Sequence, residues 1–310
     1  MTPESQAGGF TAADVPNQTG KCFIVTGANA GIGFAASQVL ASKGARVLLG
    51  CRDPRRAEAA VEQIRNAVPG ADLAILPLDL ADLDSVRAAA DLARHEPRID
   101  GLINNAGVMI PPLSRTVQGF ETQFGVNYLG TFAFTGLLLG KLAETPGARI
   151  VITSSIAHKR GKIDWDNLNA EKGYNRSAAY AQSKLADALF MLELDRRLRA
   201  AGSPLIAVGC HPGVAMTELI RHIPGPLRLL TPIFSPLLNT AAAGAWPALQ
   251  AATAPGVQGG DYFGSQGMRE MRGPSGPAKR APQALDLVTA RKLWERSIAL
   301  TGVDPGLAPA

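Results

Sequence analysis

Six short apolar runs punctuate the chain: CFIVT (22–26), RVLLG (46–50), LAILPL (73–78), GLIN (101–104), RIVIT (149–153) and LIAVG (205–209). Between them lie stretches with helical periodicity, 31–43, 55–67, 82–95, 118–143 and 177–200. A strand that is apolar at consecutive positions is buried on both faces, and parallel strands need a crossover, usually a helix, to join them. The alternation therefore predicts an α/β domain, a doubly wound parallel sheet of about seven strands with helices on both faces. No repeat or linker interrupts it. This predicts one domain over 20–303, with a flexible segment before it (1–19) and a short tail after it (304–310). A last helix is expected over 287–300, and the Gly, Pro and basic residues of 266–283 predict loops. The proline-rich apolar stretch 214–239 breaks the rhythm. In open parallel sheets ligands lie beyond the carboxyl ends of the strands. The stretch is thus expected either as a lid over a lipophilic substrate or as a surface excursion packed on the domain.

Composition narrows the class. With 310 residues, 46% of them hydrophobic, the chain can bury a large core. Its 31 Lys and Arg exceed 26 Asp and Glu, but the late basic residues are not interleaved with aromatics, which reads as solvated surface and not as a nucleic-acid face. Cys22, Cys51 and Cys210 lie within or beside apolar runs, and no two of the four histidines sit at metal-ligand spacing. No metal is expected, which argues against a zinc-dependent alcohol dehydrogenase. The N-terminus lacks the apolar core of a secretory signal, and 219–238 carries four prolines, Arg221 and Arg228, a poor membrane span. A soluble, cytoplasmic protein is expected.

The first strand runs into TGANAGIG, with Thr26, Gly27, Asn29, Ala30, Gly31, Ile32 and Gly33 before and inside the start of a helix. Glycines there permit a tight turn and close approach of a pyrophosphate, and the helix N-terminus turns N–H groups toward it. This spacing, Gly-x-x-x-Gly-x-Gly, resembles the fingerprint of the short-chain dehydrogenase/reductase family. The resemblance continues in order through Asp79–Leu80, NNAG (104–107), VNYLG around Asn127, VITSS ending in Ser154 and Ser155, YAQSK (180–184) and HPG (211–213). It implies a nicotinamide dinucleotide held by the glycine turn, with Asp79 and Leu80 near the adenine. Asn105, Ala106 and Gly107 would line the cofactor; Pro212, Gly213, Val214 and Thr217 would stand at its nicotinamide end. At the close of the second strand, where NAD-binding folds place an acidic residue on the ribose, stand Cys51 and then Arg52. A guanidinium suits a phosphate dianion, so NADP(H) is expected, with Arg52 on the 2′-phosphate. Asp53 keeps NAD(H) open.

Tyr180 and Lys184 lie four apart, on one face of a predicted helix. A phenol ordinarily titrates near 10, and a neighbouring ammonium favours the phenolate; lowering it by about two or three units takes roughly 3–4 kcal/mol. The resemblance implies Tyr180 as general acid or base, with Lys184 lowering its pKa and also binding the nicotinamide ribose. It further implies Ser155, chosen over Ser154, on the substrate oxygen, and Asn127 in a proton relay. The 24 residues between Ser155 and Tyr180 exceed the gap of compact members. With GCRDP, SKLAD and HPGV they resemble the branch of retinol dehydrogenases and protochlorophyllide reductases. That implies an NADP(H)-dependent oxidoreductase interconverting an alcohol and a carbonyl (aldehyde or ketone) on a lipophilic small molecule. The alternative is a non-catalytic cofactor-binding regulator or scaffold. Family members often pair through the tyrosine helix and the helix before it, so a homo-oligomer is expected.

Overall fold

The computed structural model describes residues 9–214 and 239–310. Among them eight strands form one sheet: β1 (Cys22–Thr26), β2 (Arg46–Cys51), β3 (Leu73–Pro77), β4 (Gly101–Asn104), β5 (Arg149–Thr153), β6 (Ile206–His211), β7 (Tyr262–Gly267) and β8 (Arg272–Pro277). Their order is β3-β2-β1-β4-β5-β6-β7-β8. All neighbours pair in parallel except β7 and β8. The helices are α1 (Gly31–Ser42), α2 (Pro54–Ala67), α3 (Leu83–Ala93), α4 (Thr131–Ala143), α5 (Arg176–Ala200), α6 (Ala241–Thr253) and α7 (Leu287–Thr301). Successive β1 side chains point to opposite faces, so Ile24 joins the core under α3, α4, α5 and α7, while Phe23 and Val25 join the core under α1, α2 and α6. This is the doubly wound parallel sheet that the continuous apolar strands predict.

Three departures have physical reasons. The segment expected as loops supplies β8 and part of β7, which brings the sheet to eight strands. Glycine is needed there: a Cβ at Gly264 would lie 2.1 Å from His211 Nε2. Proline is tolerated at Pro274 and Pro277 because β8 is the last strand of the sheet. Residues 9–19, expected to be loose, are packed. Phe10 exchanges two backbone hydrogen bonds with Ser275 (2.7 and 2.8 Å) on the outer edge of β8, and Phe10 and Val15 are buried. The tail after α7 is also tied down, with Arg197 Nη1 donating to Leu307 O at 2.9 Å.

Helix α5 is enclosed. From Tyr180 to Met191 every residue is buried, the pattern of a helix apolar or satisfied all round. Helix α7 covers it: Trp294 packs on Phe132 of α4 (ring centroids 5.3 Å) and Phe190 of α5 (5.9 Å), beneath the Arg197 guanidinium at 4.5 Å. Over that stretch, α5 has no open face for the pairing that the resemblance implied. No described helix is long and apolar enough to cross a membrane.

Candidate active site

The glycine turn lies at the carboxyl end of β1, next to β4, where the chain winds outward to either side of the sheet, the place where such sheets form a crevice. Gly27 and Gly31 adopt left-handed φ of 68° and 58°. A Cβ at Gly33 would sit 2.4 Å from Gly27 O and 2.6 Å from Asn105 Nδ2, so only glycine lets α1 approach the turn. Ala30 caps α1 without a side-chain hydrogen bond, which leaves the first N–H groups of the helix open to an anion. Ile32 is buried against Gly244, and Asn29 donates its backbone N–H toward Cys51. Thr26, fully buried, ties the two halves of the crevice together: its Oγ1 accepts from Asn105 N (3.0 Å) and Ala106 N (2.9 Å), and its carbonyl accepts from Asn105 Nδ2 (3.0 Å). These residues fit a dinucleotide phosphate cradle, since every close approach is already shaped to exclude a side chain.

At the end of β2, Arg52 is exposed and its Nε stands 4.0 Å from Asp79 Oδ2. Cys51 is buried, and burial pushes its thiol up to about 11. Asp53 is the N-cap of α2, its carboxylate accepting from Arg56 N at 3.2 Å. Asp79 Oδ1 accepts from Ala81 N, and Leu80 is buried under Gly130, where a Cβ would meet Leu80 O at 2.4 Å.

Asn127 belongs to a seven-residue π-helical turn, Phe124–Gly130, that leads into α4. The expected helix over 118–143 thus begins later. Buried Glu121 accepts from Gln123 N and Phe124 N, both at 2.8 Å, and caps the start of the turn. The wide turn directs Asn127 across to β4 and α5: Oδ1 accepts from Val108 N (2.7 Å), and Nδ2 donates to Val108 O and Ser183 Oγ (both 2.9 Å). Lys184 is buried on α5, and its Nζ donates to Thr153 O (2.9 Å) and to Asp187 Oδ2 (2.9 Å). A Cβ at Gly107 would lie 3.2 Å from Asn127 Oδ1 and 3.6 Å from Lys184 Nζ, so both polar atoms border that one spot. Tyr180 is buried one turn before Lys184.

The two serines differ. Ser154 is buried and donates to Lys184 O at 2.6 Å, a structural use of its hydroxyl. Ser155 is half-buried at the end of β5 and caps a short turn, its Oγ accepting from Ala157 N at 3.2 Å. Beyond β6, Gly213 has φ 75°, and a Cβ there would lie 2.4 Å from Met271 O. Asn239 closes this corner: Nδ2 donates to Pro212 O and Ser265 Oγ (both 2.8 Å), and its N–H donates to Val214 O (2.9 Å). Thr217 and nearly all of the expected 214–239 lid lie outside the described residues.

Two groups escape sequence reasoning. Asp187 follows Lys184 by three residues, and that helical spacing is the signal that could have found it. Glu270 is far off in sequence. Its Oε2 lies 3.2 Å from buried His211 Nε2 and bonds Lys159 Nζ, and these partners hold its carboxyl down at about 2. Gly213 N donates to His211 Nδ1 at 3.2 Å, which leaves Nε2 as the ring atom nearest Glu270.

Comparison with known proteins agrees with this geometry. The family model for short chain dehydrogenase matches residues 21–225. Mouse retinol dehydrogenase 14 is 43% identical over 301 residues, covering 92% of this chain and 86% of its own. Human retinol dehydrogenase 12 is 42% identical over 303 residues, covering 96% and 91%. The crystal structure of an uncharacterized protein from Mycobacterium Paratuberculosis superposes with a TM-score of 0.81 at 39% identity, over 96% of this chain and 100% of that one. Among the described residues no cluster of His, Cys, Asp or Glu could hold a metal ion. The chain belongs to the short chain dehydrogenase family, oxidoreductases that use NAD(P)(H), on the side of it occupied by the retinol dehydrogenases.

Proposed function

We propose that the protein interconverts an alcohol and its aldehyde or ketone with NADP(H), on a lipophilic small molecule. The observation that carries this reading is the convergence of Asn127 Oδ1 and Lys184 Nζ beside Gly107. A buried ammonium next to a glycine corner of the cofactor crevice can hold a ribose hydroxyl and acidify a phenol one helical turn away. When bound, the dinucleotide supplies or accepts the hydride. Tyr180 donates its phenolic proton to the carbonyl oxygen in reduction and takes it back in oxidation. Ser155 Oγ donates a hydrogen bond to that oxygen and fixes its place as charge develops. Asn127, anchored on Val108 and Ser183, holds the far end of a path by which Lys184 replenishes the proton.

NADP(H) is favoured over NAD(H) because the acidic residue that follows β2 in sequence, Asp53, is engaged elsewhere. Asp53 caps α2, while Arg52 stays exposed with its only described carboxylate neighbour at 4.0 Å. A lipophilic substrate is favoured by the likeness to proteins named retinol dehydrogenases.

The test is reduction of decanal, followed by cofactor absorbance with NADPH and then NADH, alongside fluorescence titration of each cofactor. NADPH is expected to bind at least tenfold more tightly, the equivalent of about 1.4 kcal/mol from one charge-assisted contact. Tyr180→Phe is expected to keep NADPH affinity and lose turnover by several orders of magnitude. Tighter NADH binding removes the cofactor assignment. Tight NADPH binding without turnover on a panel of apolar aldehydes would point to the regulator instead.

A further inference from the structure

Asp187 is a buried carboxylate that this mechanism does not use. It is 1% exposed, its Oδ2 lies 2.9 Å from Lys184 Nζ, and its Oδ1 has no hydrogen-bond partner among the described residues. An ammonium has three N–H donors. Asp187 and Thr153 O take two of those of Lys184, and the Asn127–Gly107 corner is where the third can act. A lone ammonium would acidify a neighbouring phenol with its full charge. An ammonium paired at 2.9 Å with a carboxylate acts closer to a dipole, whose field falls off faster, and burial keeps water and salt from masking the difference.

We propose that Asp187 is a positioning residue that sets the acidity of Tyr180 through Lys184, anchoring the amine while offsetting its charge. The inference rests on the reading of Tyr180 as the proton-transfer group. Besides Tyr180, two titratable groups among the described residues face the Lys184–Asp187 pair, the Tyr128 phenol from the π-helical turn and the Cys210 thiol from β6; β5 contributes the uncharged Thr153 carbonyl. Burial raises Tyr128 well above its ordinary range and Cys210 up to about 12, so neither shares the charge near neutrality. Burial also pushes Asp187 up to about 7, against the pull of Lys184. Its charge reaches Tyr180 through the amine that it holds at 2.9 Å.

The experiment is an ultraviolet titration of tyrosinate, which needs neither cofactor nor turnover and so stands or falls apart from the proposed reaction. The chain has four tyrosines. Burial raises the phenols of three of them, Tyr128, Tyr174 and Tyr262. Tyr180→Phe is the baseline that identifies the Tyr180 step. In Asp187→Asn the step is expected to move to lower pH by about one unit. Asp187→Ala, the second variant in case the amide disturbs folding, is expected to move it the same way, with native circular dichroism as the check on both. An unmoved step in a folded variant overturns the proposal. So does a step moved to higher pH, the result if the amine merely loses its proton once the carboxylate is gone.

Discussion

Adding one methyl group at Gly33 tests the cradle. The new Cβ would lie 2.4 Å from Gly27 O, 2.6 Å from Asn105 Nδ2 and 2.9 Å from Gly27 C. Ordinary carbon contacts are about 3.5–4.0 Å, so α1 and the glycine turn must part by roughly 1 Å. Overpacking of this kind costs about 1–3 kcal/mol. Neither neighbour yields easily: Gly27 N is bonded to Gly50 O at 2.8 Å, and Asn105 Nδ2 donates to Thr26 O at 3.0 Å. The displaced atoms are those that would face the dinucleotide phosphates. Gly33→Ala is therefore expected to lower the urea midpoint and to weaken NADPH binding about tenfold or more, read by fluorescence titration. Gly140→Ala is the control. Gly140 is exposed in α4 with nothing within 4 Å of its added Cβ, and alanine there is expected to stabilise by about 0.5–1 kcal/mol and leave binding alone. A Gly33→Ala protein that binds NADPH within twofold of the parent would refute the cradle.

Trp294→Ala should lose about 3–5 kcal/mol in urea unfolding, because the ring is 1% exposed between Phe132, Phe190 and Arg197; a loss below about 1 kcal/mol would show that α7 is not held by that ring. The Glu270 carboxyl is held below its ordinary range by His211 and Lys159, so its contribution is present above about pH 4.5 and lost as pH falls through about 2. Glu270→Gln should cost on the order of 1 kcal/mol at neutral pH, after allowance for the half-exposed Lys159 pair, and flatten the acid limb of stability; an unchanged neutral midpoint would refute this.

Five of the six expected strands were legible because both their faces are buried, which writes continuous apolar runs into the sequence; β3, at one edge, is apolar but only half-buried. The far edge was not. β8 reads RGPSGP, a strand specified by close backbone approach and by Phe10 far away in the chain. Helix α6 carries Pro247 and Gly244 within its span and so lacks the usual helical signature. The glycine turn and YAQSK announce themselves because chemistry fixes their spacing. The use of Asp53 was readable too: an Asp followed at once by Pro is a helix start, and it frees the end of β2 from an acidic contact. Glu270 could not be found this way, since only the fold brings it to His211.

The hydrogen bond from Asn239 N to Val214 O, with Val214 N donating to Met271 O, brings residues 214 and 239 together at one clasp. The sheet and α6 are therefore built on either side of that junction without regard to how many residues run between its ends. Loop-closure entropy rises only slowly with length, about 0.6 kcal/mol per doubling. The number of residues between 214 and 239 can thus change at little cost to the strands and helix that the clasp joins.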